Sequence, residues 1–493
     1  MSYSDLRQWL EVVASHGELK RISGADWDME MSNICEIIHR EGKDPKPALL
    51  FDDVPGYPKG YRTLFALLAS SWRVAKSLGL PEDQTDPLSL VRNWRSKLRN
   101  IRLIPPEFVS SGPVQANIDT GDKIDLLKFP VPRFHELDGG RYIGTAHAVI
   151  QREPDDGWVN LGTYRIMLVD RNRLTLHIVE AGGHGGIIMH EKYFKRGKVM
   201  PVAIAIGLDP TLWMFSFSHM PAWGVSEYNY AGAIKGKPVE VIEGQHTGLP
   251  LPANAEIVIE GECHPGELVE EGPFGEWHGY YANRRLLQVP EPVIRVKAVY
   301  YRDDPILTGA HMAVPPHDTT LPMAVFHSAG IWDRLEAFGI PGIKGVWCHE
   351  LGSGQLFNVI SIEQLYAGHA RDVGIIASHH PKLSRYTIVV EEDIDPSNLE
   401  QVLWALVTRV LPDESIQILR GERSGSHDPA IRLEEKEKYR VAPEPLTSSR
   451  AIIDACRSLT WKADWYPIAR TSPELKARLL KKWQAVLSDV IKR

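Results

Sequence analysis

Residues 270–281 read EEGPFGEWHGYY, and this stretch is the most informative in the sequence. Two glycines and a proline within it disfavour a regular helix or strand, so we expect the chain to turn here. A turn can bring Glu271 and Glu276 into one pocket, which the neighbouring aromatic rings would keep dry. A carboxylic acid in a dry site has a raised pKa and can donate a proton near neutral pH, whereas a nearby arginine holds its neighbour ionised. The alternative is a solvated acidic turn.

The segments around this turn predict a β-rich domain. Apolar and β-branched patterns typical of strands occur at 145–150, 160–169, 202–206, 256–260 and 293–300. The last of these alternates, with Ile294, Val296 and Ala298 on one face. We therefore expect 114–305 to fold as a barrel or a sandwich.

Helical patterns flank this domain on both sides. We expect the first helix to be capped by Ser4 and to end at Gly17. It belongs to a predicted N-terminal α/β unit and linker that together span 1–113. The linker is the proline-rich segment 104–113. Helices and strands alternate beyond 306, which predicts an α/β domain over 306–445. Ser472 and Pro473 then begin a last helix within a tail, 446–493.

Composition excludes several classes of protein. The 493 residues suffice for several domains, and the net charge of −7 lacks the basic surface expected of a nucleic-acid binder. No apolar run has the length of a membrane span, and charges stand where a secretory signal needs an apolar stretch. The four cysteines are widely spaced without a CxxC pair, which predicts reduced thiols. We expect a cytoplasmic protein with no membrane or nucleic-acid partner.

The segment 159–165, VNLGTYR, carries two further candidate site residues. Asn160 and Arg165 are five positions apart in a predicted strand, so they lie on opposite faces unless the strand bulges at Gly162. A bulge would let both face one cavity. The alternative is an edge strand with solvated polar ends.

Two more residues complete a candidate metal site. His184 is flanked by glycines in GGHGG, 182–186, and Glu227 stands in a semi-apolar segment. With Asn160 they offer oxygen and nitrogen ligands, a mixture that suits Mn²⁺ or Mg²⁺ better than structural zinc. Spacing alone leaves this site a hypothesis.

Several ordered motifs over nearly the whole chain resemble the UbiD family of prenylated-flavin-dependent decarboxylases. They are DLRQWLEVVASHGELKRI (5–22), NLGTYR (160–165), LTLH (174–177) with GGHGG, IGLDP (206–210), VSEYNYAG (225–232), EGPFGEWHGYY (271–281), QLYAGHARDV (364–373) and LWALVTR (403–409). The resemblance implies a mixed α+β and α/β multidomain fold. A central split β-barrel would bind the flavin, between an N-terminal α/β unit and a C-terminal α/β domain that dimerises.

The resemblance also implies the residues of the site. Asn160, His184 and Glu227 would hold Mn²⁺ (or Mg²⁺) against the flavin phosphate, and a K⁺ ion would lie near the segment 217–221. Residues that contact the prenylated FMN would be Asn160, Thr163, Tyr164, Arg165, His184, Ser218, Met220, Pro221 and Glu227. Arg165, Glu271 and Glu276 would be catalytic, and His380 or Lys382 is a candidate to contact the phosphate.

The implied reaction is the reversible, non-oxidative decarboxylation of an aromatic, heteroaromatic or α,β-unsaturated carboxylic acid. In the family a covalent adduct with the prenylated flavin accepts the electrons that carbon dioxide leaves behind. Arg165 would orient the carboxylate, Glu271 would position Arg165, and Glu276 would donate the proton. A separate flavin prenyltransferase would supply the cofactor, and the chain would form a homodimer or a larger homo-oligomer. The alternatives are an ordinary FMN oxidoreductase on a split barrel and a non-catalytic subunit of a carboxylase complex.

Overall fold

The computed structural model describes residues 3–178, 183–282, 286–379, 383–441 and 446–487, and it shows a mixed α/β architecture of several packed units. Its helices are α1 (Leu6–Ser15), α2 (Glu30–Glu41), α3 (Ser71–Leu78), α4 (Pro87–Arg99), α5 (His184–Gly186), α6 (Pro210–Phe217), α7 (Glu227–Lys235), α8 (Thr320–Ala337), α9 (His369–Ser378), α10 (Leu399–Arg409), α11 (Pro412–Ser415), α12 (Leu433–Val441), α13 (Pro473–Lys482) and α14 (Gln484–Leu487).

A curled, antiparallel sheet forms the centre of the molecule. Its nine strands among the described residues are β5 (Asn117–Thr120), β6 (Arg141–Gly144), β7 (His147–Arg152), β8 (Val159–Gly162), β9 (Ile166–Leu168), β10 (Arg173–Thr175), β11 (Met200–Ile206), β14 (Ile257–Glu271) and β15 (Val289–Tyr301). Their order is β6-β9-β10-β15-β14-β11-β7-β8, and β5 pairs with β15. The sheet curls into a half barrel, which confirms the split-barrel prediction.

The two longest strands of this sheet, β14 and β15, pair with each other. The first half of β14, from Ile257, is buried on both faces, whereas its second half alternates between more and less exposed residues. Register shifts after Glu260 and after Cys263 interrupt the pairing and mark β-bulges. The segment between the two strands contains the turn that begins at Gly272. This turn therefore lies at the end of the long hairpin.

A second sheet and its helices form the N-terminal unit. The sheet comprises β1 (Leu19–Ser23), β2 (Ala48–Asp52), β3 (Arg62–Phe65) and β16 (Ile306–Thr308). β16 pairs with β3 in parallel, so the chain returns to this unit directly after the central domain. The division between 305 and 306 made from sequence stays a prediction, and the strand that follows it belongs to the first unit's sheet.

The C-terminal unit is an α/β sheet covered by helices. Its strands are β17 (Ile343–Cys348), β18 (Phe357–Ile362), β19 (Tyr386–Glu391), β20 (Ile416–Arg423) and β21 (Thr447–Asp454). Helix α8 is buried along most of its length and connects this unit to the N-terminal one, because Phe326 packs on Trp94 of α4 at 5.5 Å between ring centroids. Arg95 and Asp333 add an ion pair at 2.8 Å to the same contact.

The proline-rich segment 104–113 is more structured than a linker. It contains the short strand β4 (Glu107–Phe108), which pairs with β12 (Glu240–Glu243), and β12 in turn pairs with β13 (Pro250–Pro252). The prediction of a simple linker is therefore wrong at this point. The segment lies against the central domain because its backbone pairs with β12.

The helix caps were partly predicted. Helix α13 begins as expected, since the Ser472 side chain accepts a hydrogen bond from Leu475 N. Helix α1 is capped by Asp5 rather than by Ser4, because the Ser4 hydroxyl donates instead to the Gln8 side chain at 2.9 Å. Gly17 has φ +81°, the left-handed conformation expected where the helix ends.

None of the helices in the described part of the chain combines the length and the apolar character needed to cross a membrane.

Candidate functional site

A buried arginine between two glutamates is the chemical centre of the structure. Arg165 donates from Nε and Nη2 to the two oxygens of Glu271 at 2.8 Å each, and from Nη1 to Glu276 Oε1 at 2.5 Å. The side chains are 9%, 0% and 7% exposed in that order, so three charges lie together out of bulk water. Glu271, Arg165 and Glu276 are called the Glu-Arg-Glu cluster below.

The segment 138–142 holds one side of the turn that carries Glu271 and Glu276. Gly275 N donates to Asp138 Oδ1 at 3.1 Å, and the same oxygen accepts from the Tyr281 hydroxyl at 2.9 Å. Pro273 O accepts from Gly139 N at 2.8 Å and from the Tyr142 hydroxyl at 3.2 Å. A Cβ at Gly139 would lie 1.7 Å from Gly272 O, so only glycine allows this close approach.

The other side of the turn is held by the C-terminal half of the chain. Trp277 O accepts hydrogen bonds from His317 Nε2 at 2.8 Å and from Ser353 Oγ at 2.9 Å. The position of Glu276 next to Trp277 therefore depends on segments more than 40 and 70 residues further along the chain. These two hydrogen bonds fix the backbone directly after Glu276.

The electrostatics of the cluster differ from the sequence-based expectation for Glu276. Burial raises the pKa of Glu276, but the opposite charges of His427 and Arg165 outweigh it and hold that pKa far below its usual range. Burial also raises the pKa of Glu271, but the charge of Arg165 outweighs burial and the pKa of Glu271 is lowered. Burial lowers the pKa of Arg165, but the two glutamates outweigh it and raise that pKa. The predicted raised pKa of Glu276 is therefore wrong for the protein without substrate, and both acids are ionised at neutral pH.

A large cavity opens beside the cluster. It has a volume of about 880 Å³, within the range of small-molecule and cofactor sites. Central-domain residues line one side, including Asn160, Arg165 and Glu276, and C-terminal residues such as His327 and His427 line the other. The cavity is thus formed between two units of the protein.

The sequence-predicted site residues are distributed around this cavity unevenly. Those that line it are Asn160, Thr163, Tyr164, Arg165, His184, Pro221, Glu227 and Glu276. Glu271 is fully buried behind Arg165 and does not line the cavity. Ser218 and Met220 also stand back, since Ser218 Oγ donates to Phe215 O and accepts from Met220 N, while Phe217, His219 and Pro221 reach the cavity.

The segment 159–165 reaches the cavity by ending a strand and not by bulging. Strand β8 stops at Gly162, the next three residues are outside the sheet, and β9 begins at Ile166. β8 is an edge strand, yet Asn160 is only 2% exposed, so the alternative of solvated polar ends is wrong. A Cβ at Gly162 would lie 2.2 Å from the Tyr164 ring, which explains why glycine stands where the chain folds back.

The three candidate metal ligands come from three separate elements. Glu227 is the first residue of α7 and is 4% exposed, and its Oε2 accepts from Leu161 N at 2.7 Å, next to Asn160. His184 begins α5 and packs edge-to-face on both Trp158 and Trp223, with ring centroids 5.6 and 5.4 Å away. Burial raises the pKa of Glu227 to about 8. An amide oxygen, an imidazole and a buried carboxylate at one cavity form a donor set that fits Mn²⁺ or Mg²⁺.

Sequence reasoning missed the histidines of the cavity. His427 Nδ1 lies 3.5 Å from Glu276 Oε2, and His177 Nδ1 lies 2.7 Å from Glu291 Oε1. The two rings approach edge to face, with centroids 5.9 Å apart. His427 follows β20 in a loop of small residues, so no local pattern connects it with a turn 150 residues earlier. Gly182 of the glycine-flanked histidine motif and the phosphate candidates His380 and Lys382 lie outside the described residues.

Comparison with known proteins gives matches along most of the chain. Family models of 3-octaprenyl-4-hydroxybenzoate carboxy-lyase match in order: the N-terminal domain at 10–88, the Rift-related domain at 107–315 and the C-terminal domain at 320–455. The chain is 35% identical over 426 residues to the pyrrole-2-carboxylic acid decarboxylase of Pseudomonas aeruginosa, covering 83% of each. It is 31% identical over 432 residues to the phenolic acid decarboxylase of Streptomyces sp. strain D7, covering 85% of this chain and 87% of that one.

Solved structures match over the full length. The UbiD-class enzyme HmfF of Pelotomaculum thermopropionicum, in complex with FMN, superposes with a TM-score of 0.82 at 26% identity, covering 99% of this chain and 100% of that one. An evolved dimeric form of HmfF in complex with prFMN gives a TM-score of 0.79 at 26% identity and the same coverage.

Proposed function

Because the chain belongs to the UbiD family of carboxy-lyases, we propose that it reversibly decarboxylates an aromatic, heteroaromatic or α,β-unsaturated carboxylic acid without oxidation. The observation that carries this proposal is the Glu-Arg-Glu cluster, buried at the edge of a cavity large enough for a cofactor and a small acid. Pyrrole-2-carboxylic acid and phenolic acids, the substrates named for two relatives, are the first compounds to test.

A prenylated FMN with a divalent cation would bind in the cavity, whose volume of about 880 Å³ is sufficient for a cofactor. Asn160, His184 and Glu227 would hold Mn²⁺ (or Mg²⁺), and the segment 217–221 would lie near a K⁺ ion and the flavin. The cofactor, when bound, would supply the electron-accepting group that an sp² carbon needs when carbon dioxide leaves. A flavin prenyltransferase would supply this cofactor.

Arg165 would orient the substrate carboxylate. A guanidinium has five N–H donors, and the cluster occupies three of them. One donor on Nη1 and one on Nη2 remain for a carboxylate at the cavity side. Glu271 fixes the guanidinium through two parallel hydrogen bonds, so Arg165 is positioned before the substrate arrives.

Glu276 would donate the proton to the carbon that loses carbon dioxide. In the protein without substrate it is ionised, so it must gain a proton after the substrate binds. Glu271, Glu276 and the substrate carboxylate would then share one guanidinium in a dry cavity. Repulsion from the other two carboxylates would raise the pKa of Glu276. His427, 3.5 Å from Glu276 Oε2, is placed to pass that proton on.

A homodimer is proposed from the exposed apolar side chains of the C-terminal region. On α10, Leu403, Trp404 and Val407 are 45%, 40% and 77% exposed. Helix α13 ends beside Trp483, which is 48% exposed. Apolar side chains grouped in this way favour a protein partner, and a second copy of the same chain is the commonest one.

The test is carbon dioxide release from a panel of acids. The protein is co-expressed with a flavin prenyltransferase, and wild type is compared with Arg165→Met and with the matched control Arg171→Met, whose side chain is 61% exposed on the surface. We expect release by wild type and by the control, and loss in Arg165→Met. NAD(P)H consumption without carbon dioxide release would instead support an ordinary FMN oxidoreductase, and no turnover of any acid by the loaded protein would support a non-catalytic subunit.

A further inference from the structure

A second group of metal-binding side chains lies buried outside the cavity. Cys35 and His39 stand one turn apart on the same face of α2, and Asp318 lies in the segment between β16 and α8. One ligand atom from each of the three lies within 4.8 Å of the other two, and all three residues are buried. None of these three described residues lines the cavity.

Two atoms of this group are buried without a hydrogen bond. His39 Nε2 and Asp318 Oδ1 lie 3.4 Å apart, and neither has a hydrogen-bond partner within the described part of the chain. Buried polar atoms are normally satisfied, so two unsatisfied atoms that face each other indicate a missing partner.

The carboxylate is already fixed in its orientation. Asp318 Oδ2 accepts from the backbone N–H of His311 at 2.7 Å, which turns Oδ1 toward His39. Such a bond to the oxygen that is not a ligand is the usual support of a metal-binding carboxylate. The arrangement therefore has both a set of ligands and the outer contact that orients one of them.

We propose that Cys35, His39 and Asp318 bind a zinc ion. A thiolate, an imidazole and a carboxylate are the ligands that Zn²⁺ takes in proteins, and the thiolate disfavours Mg²⁺ and Mn²⁺. Two ligand atoms about 2.1 Å from a tetrahedral ion lie about 3.4 Å from each other, which is the separation of His39 Nε2 and Asp318 Oδ1. Three protein ligands leave the fourth position to water.

The ion would brace one wall of the cavity. It joins α2 of the N-terminal unit to the segment 309–319, in which Met312 and His317 line the cavity. His317 in turn donates to Trp277 O, next to Glu276. The zinc site stabilises this wall without touching the substrate, and it does not depend on the proposed reaction.

The thiolate distinguishes this site from the proposed flavin-side cation, whose ligands contain no sulfur. The full chain is prepared without flavin, freed of metal by dialysis against a chelator, and titrated with Co²⁺ and separately with Zn²⁺. Cobalt bound to a thiolate gives a charge-transfer absorption band in the near ultraviolet. The variants are Cys35→Ser and His39→Asn, with Cys263→Ser as the matched control, since Cys263 is an equally buried thiol in β14.

We expect wild type and Cys263→Ser to show the cobalt–thiolate band and to bind one more zinc per chain than Cys35→Ser. Zinc should also raise the melting temperature of wild type and not that of His39→Asn. Absence of the band in wild type, or an unchanged band in Cys35→Ser, would overturn the proposal and leave a histidine–aspartate ion pair. If the variants fail to fold, zinc-edge X-ray absorption of the wild-type protein decides, because a spectrum without a sulfur ligand contradicts the site.

Discussion

Replacing Glu276 with glutamine tests the proposed proton transfer. Glutamine keeps the length of the side chain and an oxygen that can accept from Arg165 Nη1, now 2.5 Å away, but it cannot donate an acidic proton. Glu271 still holds Arg165 through two hydrogen bonds, so the guanidinium should stay in place. General acid catalysis contributes about 10²- to 10⁴-fold, which corresponds to about 3 to 5 kcal/mol at the transition state.

We therefore expect Glu276→Gln to lower kcat by about 10² to 10⁴ with KM unchanged or lower. KM should not rise, because removal of a negative charge favours binding of a carboxylate. The assay is carbon dioxide release by the cofactor-loaded enzyme under saturating acid. The control is Glu270→Gln, which changes an exposed glutamate next to Glu271. A kcat within tenfold of wild type, or a raised KM at unchanged kcat, would refute the assignment of Glu276 as proton donor.

Three further predictions concern the surroundings of the cluster. The pKa values of Glu271 and Glu276 are lowered in the folded protein, so both carboxylates stabilise the fold above the ordinary carboxyl pKa of about 4.3, and this stabilisation is lost as the pH falls below it. The melting temperature of wild type should therefore fall more steeply below that pH than the melting temperature of Glu276→Gln. Parallel curves for the two proteins would contradict this. His427→Asn removes the imidazole whose electrostatic effect lowers the Glu276 pKa, so the alkaline limb of the kcat profile should move to higher pH. An unchanged profile would exclude His427 from this role. Asp138→Ala leaves the N–H of Gly275 and the Tyr281 hydroxyl without their acceptor. The free energy of unfolding should fall by about 1–3 kcal/mol for each unsatisfied group, and kcat should also fall. Thermal unfolding measures the first effect and carbon dioxide release the second, and unchanged values would show that Asp138 does not hold the turn.

Local patterns predicted the parts of the fold that depend on near neighbours in sequence. The glycines and the proline at 272–275 predicted a turn, and the structure has one on the end of the β14–β15 hairpin. Ser472 was predicted as a cap for the same reason, since capping is decided within one turn of helix. The order of the units followed from the change of pattern along the chain.

Contacts between distant segments could not be predicted in the same way. The pKa of Glu276 depends on His427, and the sequence gives no sign that a loop after β20 reaches a turn in the central domain. The predicted strand 160–169 is interrupted after Gly162, where Thr163 N donates to Ser216 O of α6, a contact between distant segments. Strand β16 joins the N-terminal sheet although it follows the central domain, and only the pairing with β3 reveals it.

The most direct test of the account is the dependence of turnover on the cofactor. Carbon dioxide release is measured on samples of one protein preparation that contain increasing fractions of prenylated FMN, with the remainder carrying unmodified FMN. We predict a rate proportional to the prenylated fraction and close to zero without it. Equal rates with FMN alone, or release by the protein without flavin, would contradict the proposed reaction at this cavity.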